Sequence, residues 1–102
     1  MPQNPIVPRP GGALSALDVS AATVVKNSPG TLVRITVLAV ATGGTFGAYD
    51  ATTTGAAATA NAIVQYASGY PAVGSVITLE WPCANGIVIN PGTGGAVSVA
   101  YA

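Results

Sequence analysis

The chain has 102 residues, of which three are Lys or Arg, three are Asp or Glu, and none is His. Soluble domains carry about 25% charged residues, so a charged share of 6% is unusually low. Three basic residues cannot form the positive stripe that nucleic-acid binding needs, and a single Cys excludes a disulfide within the chain. The length predicts one domain.

Residues 1–12 are predicted to form an extended N-terminal arm that precedes a domain over residues 13–102. The segment holds four of the eight prolines and ends in Gly11-Gly12. Proline fixes φ and lacks a backbone donor, which favours a polyproline-like segment over a strand inside a sheet. Two interpretations stay open: a frayed terminus, or an arm that lies along a neighbouring subunit. The candidate contact residues of such an arm are Pro5, Ile6, Val7, Pro8 and Arg9.

Apolar residues alternate with a period of two from about residue 13, which predicts β-strands. The clearest runs are 32–40, 75–81 and 96–101, and shorter candidates are 23–26, 45–51, 61–66 and 86–90. Residues 56–67 are alanine-rich and could form a short helical turn. The first half of this segment is interpreted as a loop and the second half as a strand. The apolar faces predicted to form the core contain Val33, Ile35, Val37, Ile77, Leu79, Trp81, Ile87, Ile89, Val97 and Val99.

Turn-forming residues separate the runs about every ten residues, a spacing typical of all-β sandwiches and barrels. They lie at 27–30, 42–44, 85–86 and 91–95, where Gly and Asn tolerate positive φ. About seven or eight short antiparallel strands are therefore expected. The predicted fold is all-β, a two-sheet Greek-key or jelly-roll-like sandwich.

No combination of residues predicts catalysis. Without His, neither a Ser-His-Asp triad nor a Cys-His pair can form. The carboxylates of Asp18, Asp50 and Glu80 are at least 30 residues apart, and no metal-ligand spacing is present. We therefore expect a protein that is not an enzyme and has no cofactor, metal or small-molecule substrate. Cys83 is expected to be a small, half-buried hydrophobic residue.

The loops and aromatic residues supply the remaining candidate contacts. Trp81 is in phase with Ile77 and Leu79, which predicts a place in the core. Tyr70-Pro71 lies in a loop between two glycines and is predicted to hold the best exposed aromatic, although a loop anchored on its own domain stays open. The candidate loop contacts are Gly43, Gly44, Tyr70, Pro71, Gly94 and Gly95.

The low charge itself points to contact with other protein. Soluble domains keep charge on their surfaces for colloidal stability, whereas the expected exposed positions here hold Ala, Ser, Thr, Gly and Asn. The free edges of a sheet with few charges are prone to pairing. We therefore expect much of this surface to be covered in an oligomer or a larger shell.

Three segments resemble small virion structural proteins of tailed bacteriophages: 33–37, 43–50 and, above all, 79–94. The most specific string is Trp-Pro-Cys-Ala-Asn-Gly-Ile over residues 81–87, and the resemblance covers residues 32–102. It implies a β-sandwich component of a phage particle. Head decoration (cement) proteins of this class are small, often all-β and frequently trimeric, and they commonly use a terminal arm to clamp capsid subunits.

The resemblance implies a capsid decoration protein, located on the virion surface and made in the host cytoplasm. Its partners would be the major capsid protein and copies of itself, as a homotrimer or another homo-oligomer, with no nucleic acid and no membrane. Two alternatives stay open. One is a tail, baseplate or head-fibre adhesion module that binds a host glycan or receptor through Tyr70, Tyr49 or Trp81. The other is a self-assembling surface or fibre protein of bacterial origin.

Overall fold

The computed structural model describes residues 14–102, which form eight β-strands in two four-stranded antiparallel sheets. The strands are β1 (Leu14–Val19), β2 (Thr23–Lys26), β3 (Gly30–Ala39), β4 (Gly43–Tyr49), β5 (Ala62–Tyr66), β6 (Val76–Cys83), β7 (Ile87–Thr93) and β8 (Ala96–Tyr101). Two single 3₁₀ turns, Thr54–Ala56 and Thr59–Asn61, precede β5. The predicted all-β fold with two antiparallel sheets is confirmed.

The two sheets draw their strands from both halves of the chain. The first sheet has the order β1-β8-β3-β6, and the second has the order β2-β7-β4-β5. Each strand of the first half therefore pairs with one of the second half, as β1·β8, β2·β7, β3·β6 and β4·β5. The pairs β3·β8 and β4·β7 complete the sheets.

The main core joins apolar side chains from both sheets. Its buried members from the first sheet are Val19, Leu32, Ile35, Val37, Cys83, Val97 and Val99, and those from the second are Phe46, Ala48, Ile87 and Ile89. A smaller cluster of Tyr49, Ala51 and Val88 also packs against Val24, Ala57 and Ala62. Segment 50–61 therefore covers Val88, the residue between Ile87 and Ile89 in β7.

Six of the predicted core residues are buried as expected: Ile35, Val37, Ile87, Ile89, Val97 and Val99. Val33, Ile77 and Leu79 are half-buried, and Ile77 and Leu79 pack against the main core.

The prediction that Trp81 belongs to the core is wrong, because its side chain is 48% exposed. Leu32 pairs with Trp81 but Arg34 pairs with Thr78, so β6 contains an extra residue at this point. Glu80 within this bulge has a φ of +46°. A bulge interrupts the alternation of side chains between the two faces, so the phase set by Ile77 and Leu79 does not extend to residue 81.

Candidate functional site

Three loops predicted to make contacts meet at one end of the sandwich. This loop end comprises residues 40–44, 67–75 and 93–95. The amide of Thr42 donates to the Thr93 carbonyl at 2.8 Å, and Gly43 pairs with Thr93, so the first and third segments are joined. The predicted residues Gly43, Gly44, Tyr70, Pro71, Gly94 and Gly95 all lie in the loop end, although no pattern in the sequence had placed them together.

Tyr70 attaches the second segment of the loop end to the first. Its hydroxyl lies within hydrogen-bond distance of the Gly44 carbonyl and, at 3.0 Å, of the Ala67 carbonyl. Tyr70 and Pro71 are half-buried, and the Tyr70 ring packs against the main core. The prediction that Tyr70 is the best exposed aromatic is therefore wrong, and the other interpretation, a loop anchored on its own domain, is correct: the Tyr70 hydroxyl bonds to Gly44 and the ring packs against the core.

Exposed aliphatic side chains border the loop end, and sequence reasoning did not identify them. We call Leu38, Val73 and Val76 the aliphatic patch; they are 45%, 64% and 56% exposed. The Gly74 amide donates to the Val37 carbonyl at 2.8 Å, so Val73 and Leu38 each adjoin a residue of this hydrogen bond, and Val76 pairs with Thr36 in the β3·β6 ladder. The patch arises from the pairing of β3 with β6, two strands that are distant in sequence.

The loop end and the aliphatic patch contain no charged residue, since none occurs in segments 38–44, 67–76 and 93–95. Two of the described charges lie at the other end of the sandwich: Asp50 follows β4, and Lys26 pairs with Ile87 at the start of β7. The centres of protein interfaces are depleted in charge, and contiguous exposed apolar surface marks contact sites. This end of the molecule therefore suits contact with another protein.

At the opposite end, Asp50 fixes the turn between β6 and β7. Its carboxylate accepts hydrogen bonds from the amides of Asn85 at 2.8 Å, Ala84 at 3.0 Å and Gly86 at 3.2 Å. Partial desolvation raises the pKa of Asp50, but these hydrogen bonds and one from the Asn85 side chain outweigh it, so the pKa lies below its ordinary value. Asp50 is thereby engaged in holding the turn.

Gly86 follows the same turn at a place where no side chain fits. A Cβ there would lie 2.5 Å from the Ala51 carbonyl oxygen and 2.6 Å from that of Lys26. Both obstacles are backbone atoms, which cannot move aside as the end of a side chain can. The Asn-Gly of the string at 81–87 thus has a structural explanation: Asn85 and Gly86 donate to Asp50, and Gly86 allows the close approach of two other segments.

Cys83 is a buried free thiol, in keeping with its expected hydrophobic character. Burial raises its pKa, and the negative charge of Asp50 adds to this increase, while a hydrogen bond with the Leu32 backbone opposes it. Its Sγ donates to the Trp81 carbonyl oxygen at 3.7 Å. A thiol with a raised pKa carries little of the reactive thiolate, so Cys83 does not suit nucleophilic chemistry.

Both edge strands of the first sheet carry an acidic residue at a bulge. Asp18 in β1 and Glu80 in β6 have φ values of +53° and +46°, and the register shifts beside each of them. Charges and bulges on edge strands hinder pairing with a strand of another molecule. Strand pairing between either edge of this sheet and another molecule is therefore disfavoured.

The arm residues Pro5, Ile6, Val7, Pro8 and Arg9 lie outside the described residues. Within 14–102, no group of three or more His, Cys, Asp or Glu side chains is arranged to hold a metal ion. In the same part of the chain, no helix has the length and hydropathy needed to cross a membrane. Comparisons with protein-family models, with curated proteins and with solved structures found no match.

Proposed function

We propose that the chain is a non-enzymatic structural protein of a bacteriophage particle, namely a capsid decoration (cement) protein. The observation that carries the proposal is the uncharged loop end with its aliphatic patch, in which Leu38, Val73 and Val76 are about half or more exposed. Such a surface is stabilised when protein covers it. The proposed partners are the major capsid protein and further copies of the chain, and the proposed location is the capsid surface.

We also infer that the eight strands form a jelly roll. Eight strands in two packed sheets that contain two Greek keys define this fold, which occurs in viral capsid and lectin domains. The pairing of β1 with β8, β2 with β7, β3 with β6 and β4 with β5 is the pattern of one long hairpin wrapped around a core. Because a fold does not fix a function, the functional proposal depends on the surface.

The ionisable groups support a role without catalysis. Asp50 holds a turn through three backbone amides, and Cys83 is buried with a raised pKa. Asp18 and Glu80 lie on opposite edge strands of the first sheet, separated by β8 and β3. Acid–base catalysis needs titratable groups within reach of one substrate, and the first sheet keeps these two carboxylates apart.

The adhesion alternative has less support from the same observations. Tyr49 is only 4% exposed, and Tyr70 is attached to Gly44 through its hydroxyl. Of the three aromatics expected to bind a glycan, only Trp81 is freely exposed. One exposed indole, in place of the three aromatics that the adhesion module would use, favours the decoration proposal.

Uptake by capsids tests the proposal. Virions of the encoding phage that lack this chain are expected to bind the purified wild-type protein to saturation and to gain heat tolerance. Leu38→Ser combined with Val73→Ser is expected to weaken binding at least about tenfold, because burial of each aliphatic side chain contributes roughly 1.5–3 kcal/mol. Binding is measured by co-sedimentation with the particles over a range of protein concentrations.

Leu17→Ser is the matched control, since Leu17 is 74% exposed on β1, at the other edge of the sheet. It is expected to bind as the wild type does. Thermal melts of all variants verify that the fold is retained. Equal binding by the patch variant and the wild type, or no uptake of the wild type, would contradict the proposal.

A further inference from the structure

We propose that residues 5–10 bind the Trp81 edge of the same molecule. The Trp81 edge is Glu80, Trp81 and Pro82, three consecutive exposed residues on β6. Among the strands of residues 14–102, β6 has a partner on one side only. Nearly half of the Trp81 side chain faces solvent. Burial of a large exposed indole under another segment removes apolar area from water and is therefore favourable.

The chemistry of the segment matches this surface. Its sequence is Pro-Ile-Val-Pro-Arg-Pro over residues 5–10, so two prolines are separated by two residues and followed by a base. Pro-x-x-Pro segments dock on aromatic side chains in the polyproline conformation, which costs little ordering entropy. The Arg9 guanidinium is attracted to the face of an indole and to the carboxylate of Glu80. The segment thus offers a contact to the indole and one to the carboxylate of the Trp81 edge.

The segment is long enough to reach the Trp81 edge of its own molecule. Leu14, the residue at which β1 begins, pairs with Tyr101, Tyr101 pairs with Leu32, and Leu32 pairs with Trp81. These four residues form one row across the sheet, so Leu14 lies three strand spacings, or about 14 Å, from Trp81. Arg9 precedes Leu14 by five residues, and five extended residues span about 17 Å.

Attachment to the same molecule is what makes such a weak contact effective. A short tether holds the segment at a millimolar effective concentration, well above the concentration at which separate molecules meet in dilute solution. Coverage of Trp81 in the free protein would also reduce its exposed apolar surface, which favours solubility in a chain with few surface charges. This inference concerns the free chain and does not depend on the proposed role in a capsid.

The single Trp of the chain makes the proposal directly measurable. In the 102-residue chain, acrylamide quenching of Trp81 fluorescence is compared with that of the variant Pro5→Ala/Pro8→Ala/Arg9→Ala. The quenching constant of the variant is expected to rise about twofold, since a segment at millimolar effective concentration occupies a weak site half of the time or more. The emission maximum of the variant is expected to shift to longer wavelength.

Pro2→Ala is the matched control, because it removes a proline outside residues 5–10, and its quenching is expected to equal that of the wild type. Far-ultraviolet circular dichroism verifies that all three proteins are folded. Equal quenching in the variant and the wild type would overturn the proposal. Wild-type quenching that falls as protein concentration rises would also overturn it, since a second copy would then supply the segment.

Discussion

Leu32→Ala is expected to lower the free energy of unfolding by about 2–5 kcal/mol, the range measured when a buried leucine is truncated and a cavity remains. Leu32 is 0% exposed and lies among core residues of both sheets. Each kcal/mol shifts the melting temperature of a domain of this size by about 4–8 °C. Denaturant and thermal unfolding of the purified variant give both quantities.

Leu38→Ala is the matched control for this substitution. Leu38 is on the same strand, β3, but its side chain is 45% exposed. Truncation there removes less buried surface and leaves no closed cavity, so a loss below about 1 kcal/mol is expected. Similar losses for the two variants would contradict the placement of Leu32 in the core.

Asp50→Ala is expected to cost about 2–4 kcal/mol at neutral pH, because three backbone amides lose an ionised acceptor. Two of the three donors, in Ala84 and Asn85, are on exposed residues and can bind water instead, which limits the loss. Asp50→Asn keeps one carbonyl acceptor but no charge, so an intermediate loss is expected. Chemical denaturation of the two variants measures both losses.

The contribution of Asp50 depends on pH in a direction that its pKa fixes. Its pKa in the folded protein lies below the ordinary value, so the stabilisation is fully present above that ordinary value. It disappears as the pH falls through the folded pKa. The difference in unfolding free energy between the wild type and Asp50→Asn should therefore be constant near pH 7 and shrink below about pH 4.

Asp18→Asn is the control for Asp50→Asn. Asp18 is an exposed acidic residue, and its positive φ is one that Asn tolerates. It is expected to change the unfolding free energy by less than about 0.5 kcal/mol at neutral pH. An Asp50→Asn variant as stable as the wild type at pH 7 would contradict the assigned role of the carboxylate.

Much of the fold could be predicted because the alternation of apolar residues and the turn-forming residues are visible in short stretches of sequence. The bounds of β2 and β8 match the predicted runs 23–26 and 96–101. β1 was not among the predicted strands. Because it lies at an exposed edge, its apolar and polar residues do not alternate regularly, and Leu14, Leu17 and Asp18 are all exposed. Trp81 was wrongly assigned to the core because one extra residue at the β6 bulge interrupts the alternation, and no local pattern of residue types indicates where that residue falls.

The candidate site could be predicted in part. The loops with Gly43, Tyr70 and Gly94 were identified by turn chemistry, which depends on neighbouring residues. Their convergence, the aliphatic patch and the contact of Asp50 with a turn 34–36 residues away arise from strand pairing. Pairing between distant segments depends on the whole fold, so a single sequence does not specify these contacts.

The proposed role is tested most directly by the copy number of the chain in a cryo-electron microscopy map of the particle to which it is proposed to belong. A decoration protein predicts density for this fold across the outer face of the capsid, with the loop end in contact with protein and with hundreds of copies that follow the shell symmetry. About a dozen copies or fewer, or density restricted to the tail, would contradict it.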